Sequence, residues 1–374
     1  MRERVGSALG ALGFVGAVAA LSAIAPASAE AVELEIRGAG WGHGVGMSQW
    51  GARGYAEQGR GHKRILGHYY RRTRVGRTKS RKVDVLLRSG TDSVRFSGAT
   101  QACGRRLDER REYRAERAGS SVRLRTARDE SISDCGRELR AKGGNSIKLE
   151  SKGSYRGALV IRVRTGGGLM TVNRVRLEAY VRGVVPNEMP SEWPAKALRA
   201  QAVVARSFAL ATSVAGGGFD LYDDTRSQVY GGRSSETRAT NAAVKRTKRQ
   251  VVKHRKKIAQ TFYFSTSGGR TENSEYGFDG GERRPYLRSV KDPHDDASPY
   301  HRWKMTYTLD EAEDRLGDLV EGRLRDIEVT NRGRSPRIVR ARVEGSGGST
   351  TVSGATLQGR LDLRSTWARF ERIP

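Results

Sequence analysis

The chain has 374 residues, with 69 lysines and arginines against 41 acidic residues, a formal net charge of +28, 46 glycines and 7% aromatic residues. That length fits one large domain or two medium ones at roughly 100–200 residues each, and many glycines with few aromatics favour sheets and loops over a helical bundle. The positive field attracts polyanions, but the basic residues are spread along the chain without a nucleic-acid-binding motif, so no nucleic-acid partner is expected.

Arg2 and Arg4 precede an apolar run from Leu9 to Ile24, and Pro26-Ala-Ser-Ala29 supplies an A-x-A cleavage site. The run is short and rich in Gly and Ala for a membrane span. Residues 1–29 therefore read as a signal peptide, and losing Arg2, Glu3 and Arg4 with it lowers the net charge by one, to +27. The mature protein is expected to be secreted or in the cell wall, outside the cytoplasmic membrane. The polyanions at hand there are wall polymers and the membrane surface.

Residues 36–75 open with a glycine-rich run, Gly40-Trp-Gly-His-Gly-Val-Gly-Met-Ser-Gln-Trp-Gly-Ala52. Its glycines permit sharp turns and close backbone approach. From Ser48, a predicted N-cap, the pattern becomes helical until Gly59. Ile65, Leu66, Tyr69 and Tyr70 predict a second short helix. Residues 82–175 alternate apolar and polar, and residues 83–87, 121–125, 159–163 and 169–172 are predicted strands. Cys103 and Cys135, the only two cysteines, are expected to form a disulfide in an oxidising compartment.

Leu177, Tyr180, Val181 and Val184 share one face of a predicted helix. After a Pro-interrupted loop carrying Glu188, residues 193–214 predict a long Ala-rich helix. Residues 250–253 and 258–264 read as the strands of a hairpin with the basic tetrad His254-Arg-Lys-Lys257 at its turn. Residues 324–373 predict an antiparallel meander. No low-complexity linker or short-period repeat divides the mature chain. Residues 30–374 are therefore expected to form one interlocked α+β unit: a glycine-rich segment (36–75), a β-rich part with the disulfide loop (82–175), a helical catalytic core (176–303) and a C-terminal β-rich part (304–374).

Glu188 lies between Pro186 and Pro190, beside Met189 and close to Trp193. A carboxyl held against apolar neighbours loses solvation, which raises its pKa and suits a general acid for glycosidic cleavage. Composition alone leaves open that Glu188 caps the following helix. Glu178 is expected either to buttress the site or to pair with an arginine. The run Ser265-Thr-Ser-Gly-Gly-Arg-Thr-Glu-Asn-Ser274 matches no nucleophile motif and suits recognition of sugar hydroxyls, with a plain polar turn as the alternative. His294, Asp295, Asp296 and His301 lack a recognisable metal-ligand spacing, and no metal or other cofactor is expected.

Five motifs together resemble the SpoIID/LytB family. They are the glycine-rich run 40–52, Val185-Pro-Asn-Glu-Met-Pro190, Ala197-Leu-Arg-Ala-Gln-Ala-Val-Val-Ala-Arg206, Ser227-Gln-Val-Tyr-Gly231 and Phe262-Tyr-Phe-Ser-Thr-Ser-Gly-Gly-Arg-Thr271. The resemblance implies a SpoIID-like fold and peptidoglycan glycan strands as substrate, cleaved by a lytic transglycosylase whose acid/base matches Glu188. It also implies substrate contacts within the motifs, expected at His43, Gln201, Arg206, Gln228, Tyr230, Ser265, Thr266, Ser267 and Arg270. The LytB branch implies the alternative of a non-catalytic enhancer of a cell-wall amidase. Two features depart from the family pattern. The glycine-rich run usually follows the E-M-P motif but here precedes it. Some relatives carry Cys and His zinc ligands near the S-Q-V-Y motif, where this chain has Thr225, Ser227 and Gln228.

Overall fold

A computed structural model describes residues 32–214 and 216–373, so the expected signal peptide lies outside the described residues. Seven α-helices are present among them: α1 (Gln49–Glu57), α2 (His62–Tyr69), α3 (Leu177–Glu188), α4 (Ala195–Ala211), α5 (Arg238–Arg246), α6 (Leu309–Leu316) and α7 (Gly354–Arg360). None is long and apolar enough to cross a membrane.

The period-two pattern downstream of Lys82 makes one large sheet. Nine of its eleven strands follow the order Leu221–Tyr222, Lys82–Thr91, Leu169–Arg176, Ala158–Val163, Glu138–Leu149, Ser93–Ala102, Glu112–Ala118, Ser121–Thr126 and Ser131–Asp134. Every neighbouring pair in that order is antiparallel except the first. Alternate residues such as Val83, Val85 and Leu87, or Val122 and Leu124, are buried on one face. Cys103 and Cys135 are joined in a disulfide between two turns of this sheet, with Cα atoms 5.3 Å apart.

Helices α3 and α4 cover the sheet. Leu177, Tyr180, Val181 and Val184 of α3 enter its core together with Ala202, Ala205 and Ala209 of α4. The opposite side of α4, with Ala197, Leu198, Ala200, Val203 and Val204, enters a second core with α1 and α2. Its many alanines follow from that position, because small side chains let a helix be enclosed on two sides. Two boundaries differ from expectation. The long helix is Ala195–Ala211 rather than 193–214, since Pro194 fills its N-cap and Thr212 is extended. Glu188 is not on a loop: α3 continues through Pro186 and ends at Glu188. Pro186 forfeits one helical hydrogen bond, but it lies in the last turn, where Asn187 Nδ2 donates to the Gly183 carbonyl.

The basic hairpin is shorter than expected. Gln250–His254 pairs with Lys257–Ile258 across Arg255 and Lys256, but Tyr263–Phe264 leaves it to pair in parallel with Met47–Ser48. Bridges between Trp41 and Thr266 and between Val45 and Glu272 continue this contact. The glycine-rich run and residues 262–272 are therefore zipped together. Gly46 has a φ of +82°, and a Cβ there would lie 2.0 Å from the Phe262 carbonyl oxygen, so only glycine fits.

The expected meander is present as Leu324–Arg332, Ile338–Gly345 and Ser349–Ser353. The last strand, Ala368–Ile373, leaves it and pairs with Glu33–Gly38, whose other edge pairs with Trp303–Thr308. Buried Arg337 reaches from this C-terminal part to the carbonyls of Ser267 and Arg270.

A buried carboxyl ties α1 and α2 to the loops. Asp292 accepts from the Tyr69 hydroxyl at 2.7 Å, and its own N–H donates to the Gly269 carbonyl. A Cβ on Gly51 would lie 2.3 Å from the same carboxyl, so α1 requires glycine there. Burial, and then the neighbouring charge of Asp295, push the Asp292 pKa from 3.8 up to about 7.

Two expectations follow. In the chain-entropy account, reducing the Cys103–Cys135 bridge removes about 3–4 kcal/mol, read as a lower denaturation midpoint; equal midpoints with and without reductant would refute it. For Asp292, the folded state keeps a proton that the unfolded chain releases above pH 3.8. Stability from this group is thus full below that pH and is lost towards pH 7, by up to about 1.4 kcal/mol per pH unit. Asp292→Asn lacks this term. The melting-temperature advantage of wild type over the variant should shrink as pH rises from 4 to 7, and a constant difference would contradict the assignment.

Candidate functional site

The last residue of α3 opens onto a cavity of about 310 Å³ lined by Glu188, His43, Phe208, Thr225, Arg226, Ser227, Gln228, Val229, Phe262, Tyr263 and Phe278. Glu188 is half-buried, and burial raises its pKa above the ordinary 4.5 of a glutamate. Hydrogen bonds from the Tyr263 hydroxyl and the Val229 N–H pull in the opposite direction without overcoming burial. The negative end of the α3 dipole adds to the upward push. The carboxyl does not cap α4, whose N-cap Pro194 has no side-chain bond. Instead Oε1 accepts from Val229 N–H at 3.0 Å.

A relay of neutral groups fixes the surroundings. Tyr180 donates to Gln228 Oε1 at 3.1 Å, and Gln228 Nε2 donates to the Tyr263 oxygen at 3.0 Å. The Tyr263 oxygen is thereby occupied as an acceptor, leaving its hydrogen for the Glu188 carboxyl. Burial raises both phenol pKa values well above 10.0, so neither ionises at ordinary pH.

From the other side, Gln49 Nε2 donates to the Glu188 backbone carbonyl at 2.9 Å. Ser48, the residue before it, N-caps α1 by accepting from Gly51 N–H. The glycine-rich run thus holds the C-terminus of α3 even though it lies early in the chain. His43, from the same run, accepts from Val45 N–H on Nδ1 at 3.0 Å, and its Nε2 contacts the Tyr263 carbonyl at 3.1 Å. A carbonyl only accepts, so Nε2 carries the hydrogen and the ring is neutral. Burial, reinforced by the positive charge of Arg337, lowers its pKa to about 4. His43 therefore helps shape the cavity and is a poor proton donor at neutral pH.

Of the residues expected at the site, Glu188, His43 and Gln228 meet at this cavity. The others do not. Thr266 and Ser267 are fully buried. Ser267 donates to Asp295 at 2.8 Å and Thr266 pairs with Ser298 at 2.7 Å. Both hydroxyls are turned to partners in the interior. Ser265 bonds the Thr266 hydroxyl, and Arg270 Nη1 reaches Ser289. Gln201 and Arg206 are enclosed on α4. Tyr230 is buried, donating to Asn173 at 2.8 Å and stacking on Tyr180. Glu178 takes the arginine alternative, binding Arg206 through both carboxylate oxygens at 3.0 and 2.9 Å.

Sequence reasoning did not single out Gln49, Tyr180, Tyr263, Phe208 or Phe278 for the site. Gln49 and Tyr263 lie inside motifs that had been noted. The available signal was a tyrosine on the buried face of α3 and another among alternating phenylalanines.

The family model described as Stage II sporulation protein matches residues 165–254. That segment contains α3, α4 and Glu188. The chain is 31% identical to stage II sporulation protein D of Bacillus subtilis (strain 168) over 219 residues, covering 54% of this chain and 62% of that protein. It is 36% identical to the amidase enhancer of the same organism over 141 residues, covering 38% of this chain and 19% of that protein. An uncharacterized protein of Brachyspira hyodysenteriae (strain ATCC 49526 / WA1) is 32% identical over 165 residues, covering 38% of this chain and 44% of that protein. The chain thus spans less than two thirds of the length of each of these curated relatives. The family match falls on the helices that carry the cavity, and together with the similarity to both named relatives it supports the SpoIID/LytB family for this chain.

Proposed function

We propose that the chain is an exported cell-wall protein that cleaves peptidoglycan glycan strands as a lytic transglycosylase, with Glu188 as its single acid and base. The observation that carries this reading is the half-buried Glu188 carboxyl, facing a cavity with its pKa raised by burial. A carboxyl whose acid form persists to higher pH than that of a solvated glutamate is the group a glycosidic oxygen needs as the C–O bond breaks.

The steps balance around this one group. Glu188 gives its proton to the oxygen linking N-acetylmuramic acid to N-acetylglucosamine, and that oxygen leaves with the bond electrons. The 6-hydroxyl of the muramyl sugar attacks the resulting oxocarbenium-like carbon and returns its proton to Glu188, closing a 1,6-anhydro ring. No water enters, so the second carboxylate of hydrolytic schemes is not required. Between the steps Glu188 is an anion, stabilised by the N–H of Val229 and the hydroxyl of Tyr263. Similarity to the amidase enhancer supports a second reading, in which the chain binds wall material and stimulates an amidase without cleaving glycan.

Glu188→Gln separates the two. The amide keeps the size of the side chain and can still accept from Val229 N–H, so the melting temperature should change little. Release of 1,6-anhydro products from purified glycan strands, read by mass spectrometry, should fall by at least about 10³-fold. In wild type, kcat/KM should decline as pH rises through a midpoint above 4.5, as the acid form of Glu188 is lost. Equal product release by variant and wild type would remove Glu188 from the chemistry. No product from either, with both stimulating a wall amidase, would establish the enhancer reading.

A further inference from the structure

We propose that a second site, built around Arg71, Arg72, Arg283 and Arg288, binds a linear phosphodiester polymer. These four arginines and Pro285 line a cavity of about 570 Å³ that shares no lining residue with the Glu188 cavity. Arg71, Arg72 and Arg283 are exposed and form no ion pair with a described carboxylate. Arg288 is bound to Glu275 through a single guanidinium nitrogen, at 2.7 and 2.8 Å. Its remaining N–H groups are free of that carboxylate.

The basic hairpin extends this concavity. His254 Nδ1 donates to the Arg72 carbonyl at 3.0 Å, and its ring packs on Tyr286, the neighbour of Pro285. The exposed tip residues Arg255, Lys256 and Lys257 follow directly. Backbone conformation gives an independent sign. Arg72, Arg255 and Lys256 all have positive φ, at 57°, 45° and 68°. Glycine or asparagine is favoured in such positions, above all in a two-residue hairpin turn. Here the chain places long cations at three of them, accepting local strain where charge is wanted.

The chemistry of the ligand follows from the count. Among the described residues, these seven cations share one bonded carboxylate, Glu275. One phosphate group carries about −1.5 to −2, which leaves most of the cluster uncompensated. A chain of phosphodiesters spreads its charge along the cavity and the hairpin tip, and guanidinium forks match phosphate oxygens pairwise. This site stands apart from the reading of Glu188.

The test uses the mature chain and four probes: poly(glycerol phosphate), single-stranded DNA with the same number of phosphates, inorganic phosphate, and anionic phospholipid vesicles. The patch variant Arg71→Gln/Arg72→Gln/Arg283→Gln is compared with a control, Arg105→Gln/Arg106→Gln/Arg110→Gln, of equal charge loss at exposed positions near the disulfide. Wild type should bind a polymer with strong salt dependence. The patch variant should bind at least about 10-fold more weakly at low salt, with the slope of log K against log salt reduced by about 2. The control should bind nearly as wild type. Binding of either polymer on these terms supports the site, and the tighter one identifies the source of the phosphodiester. Equal weakening in patch and control variants would show only the diffuse field of a strongly basic chain and overturn the proposal. So would full competition by inorganic phosphate at the polymer's phosphate concentration, or binding to anionic phospholipid vesicles but to neither polymer. Glycan cleavage on polymer-free strands should be the same in all three proteins, so failure here is distinct from failure at Glu188.

Discussion

The guanidinium of Arg206, fully buried on α4, is the interaction around which the site-bearing helices are arranged. It donates to both oxygens of Glu178 in the first turn of α3, to the Ala202 carbonyl within α4, and to the Gln250 carbonyl of the basic hairpin. Glu178 also accepts from Arg249 N–H. A buried cation tolerates no vacancy among such partners, since removing one partner of a buried pair costs about 3–5 kcal/mol. Three elements distant in sequence are therefore held in one relative position. Because α3 is rigid over its length of about 18 Å, fixing its first turn also constrains its last residue, Glu188.

That last residue is gripped a second time at its own carbonyl, by Gln49. The donor sits at the start of α1, and α1 is positioned by Ser48 at its N-cap and by Gly51 against the Asp292 carboxyl. The glycine-rich run needs its glycines because it passes against the backbone at Phe262 and Thr266. The same path brings His43 and the Tyr263–Phe264 strand to the cavity. The early position of the run in this chain is thus compatible with the site: what matters is which backbone it meets, and pairing with residues 262–272 sets that independently of chain order.

Much of the architecture was legible because burial imposes periodicity. The faces of α3 and of the large sheet follow periods of 3.6 and two, and Ser48 capped α1 as its residue type predicts. Legibility failed where the partner is non-local or generic. Tyr263–Phe264 reads as a continuation of the basic hairpin, and only its parallel pairing with Met47–Ser48 shows otherwise. Gln49 acts on a backbone carbonyl, a group every residue carries, so no partner can be read from the chain. The hydroxyl-rich run is ambiguous in the sequence for a related reason. Serine and threonine serve equally to bind sugar in water or to satisfy polar groups in an interior, and composition is identical in the two cases. The bonds of Ser267 to Asp295 and of Thr266 to Ser298 decide for the interior.

The electrostatics of the cavity follow from which neighbours stay neutral. Were His43 charged, it would favour the Glu188 anion and lower the carboxyl's pKa. The Val45 N–H donated to His43 Nδ1 prevents this, as does the burial that keeps its pKa at about 4. Were Tyr263 ionised, it would repel that anion; burial keeps it a phenol. Arg226 also lines the cavity but pairs with Asp224, so the groups bonded to the carboxyl itself are dipoles, the Val229 N–H and the Tyr263 O–H, backed by Gln228 and Tyr180. Dipoles of this kind moderate the cost of the anion without cancelling the upward shift that burial causes. An acid that must give up a proton and then recover it requires both properties. A full countercharge would trap the carboxylate, and a purely apolar wall would prevent it from forming.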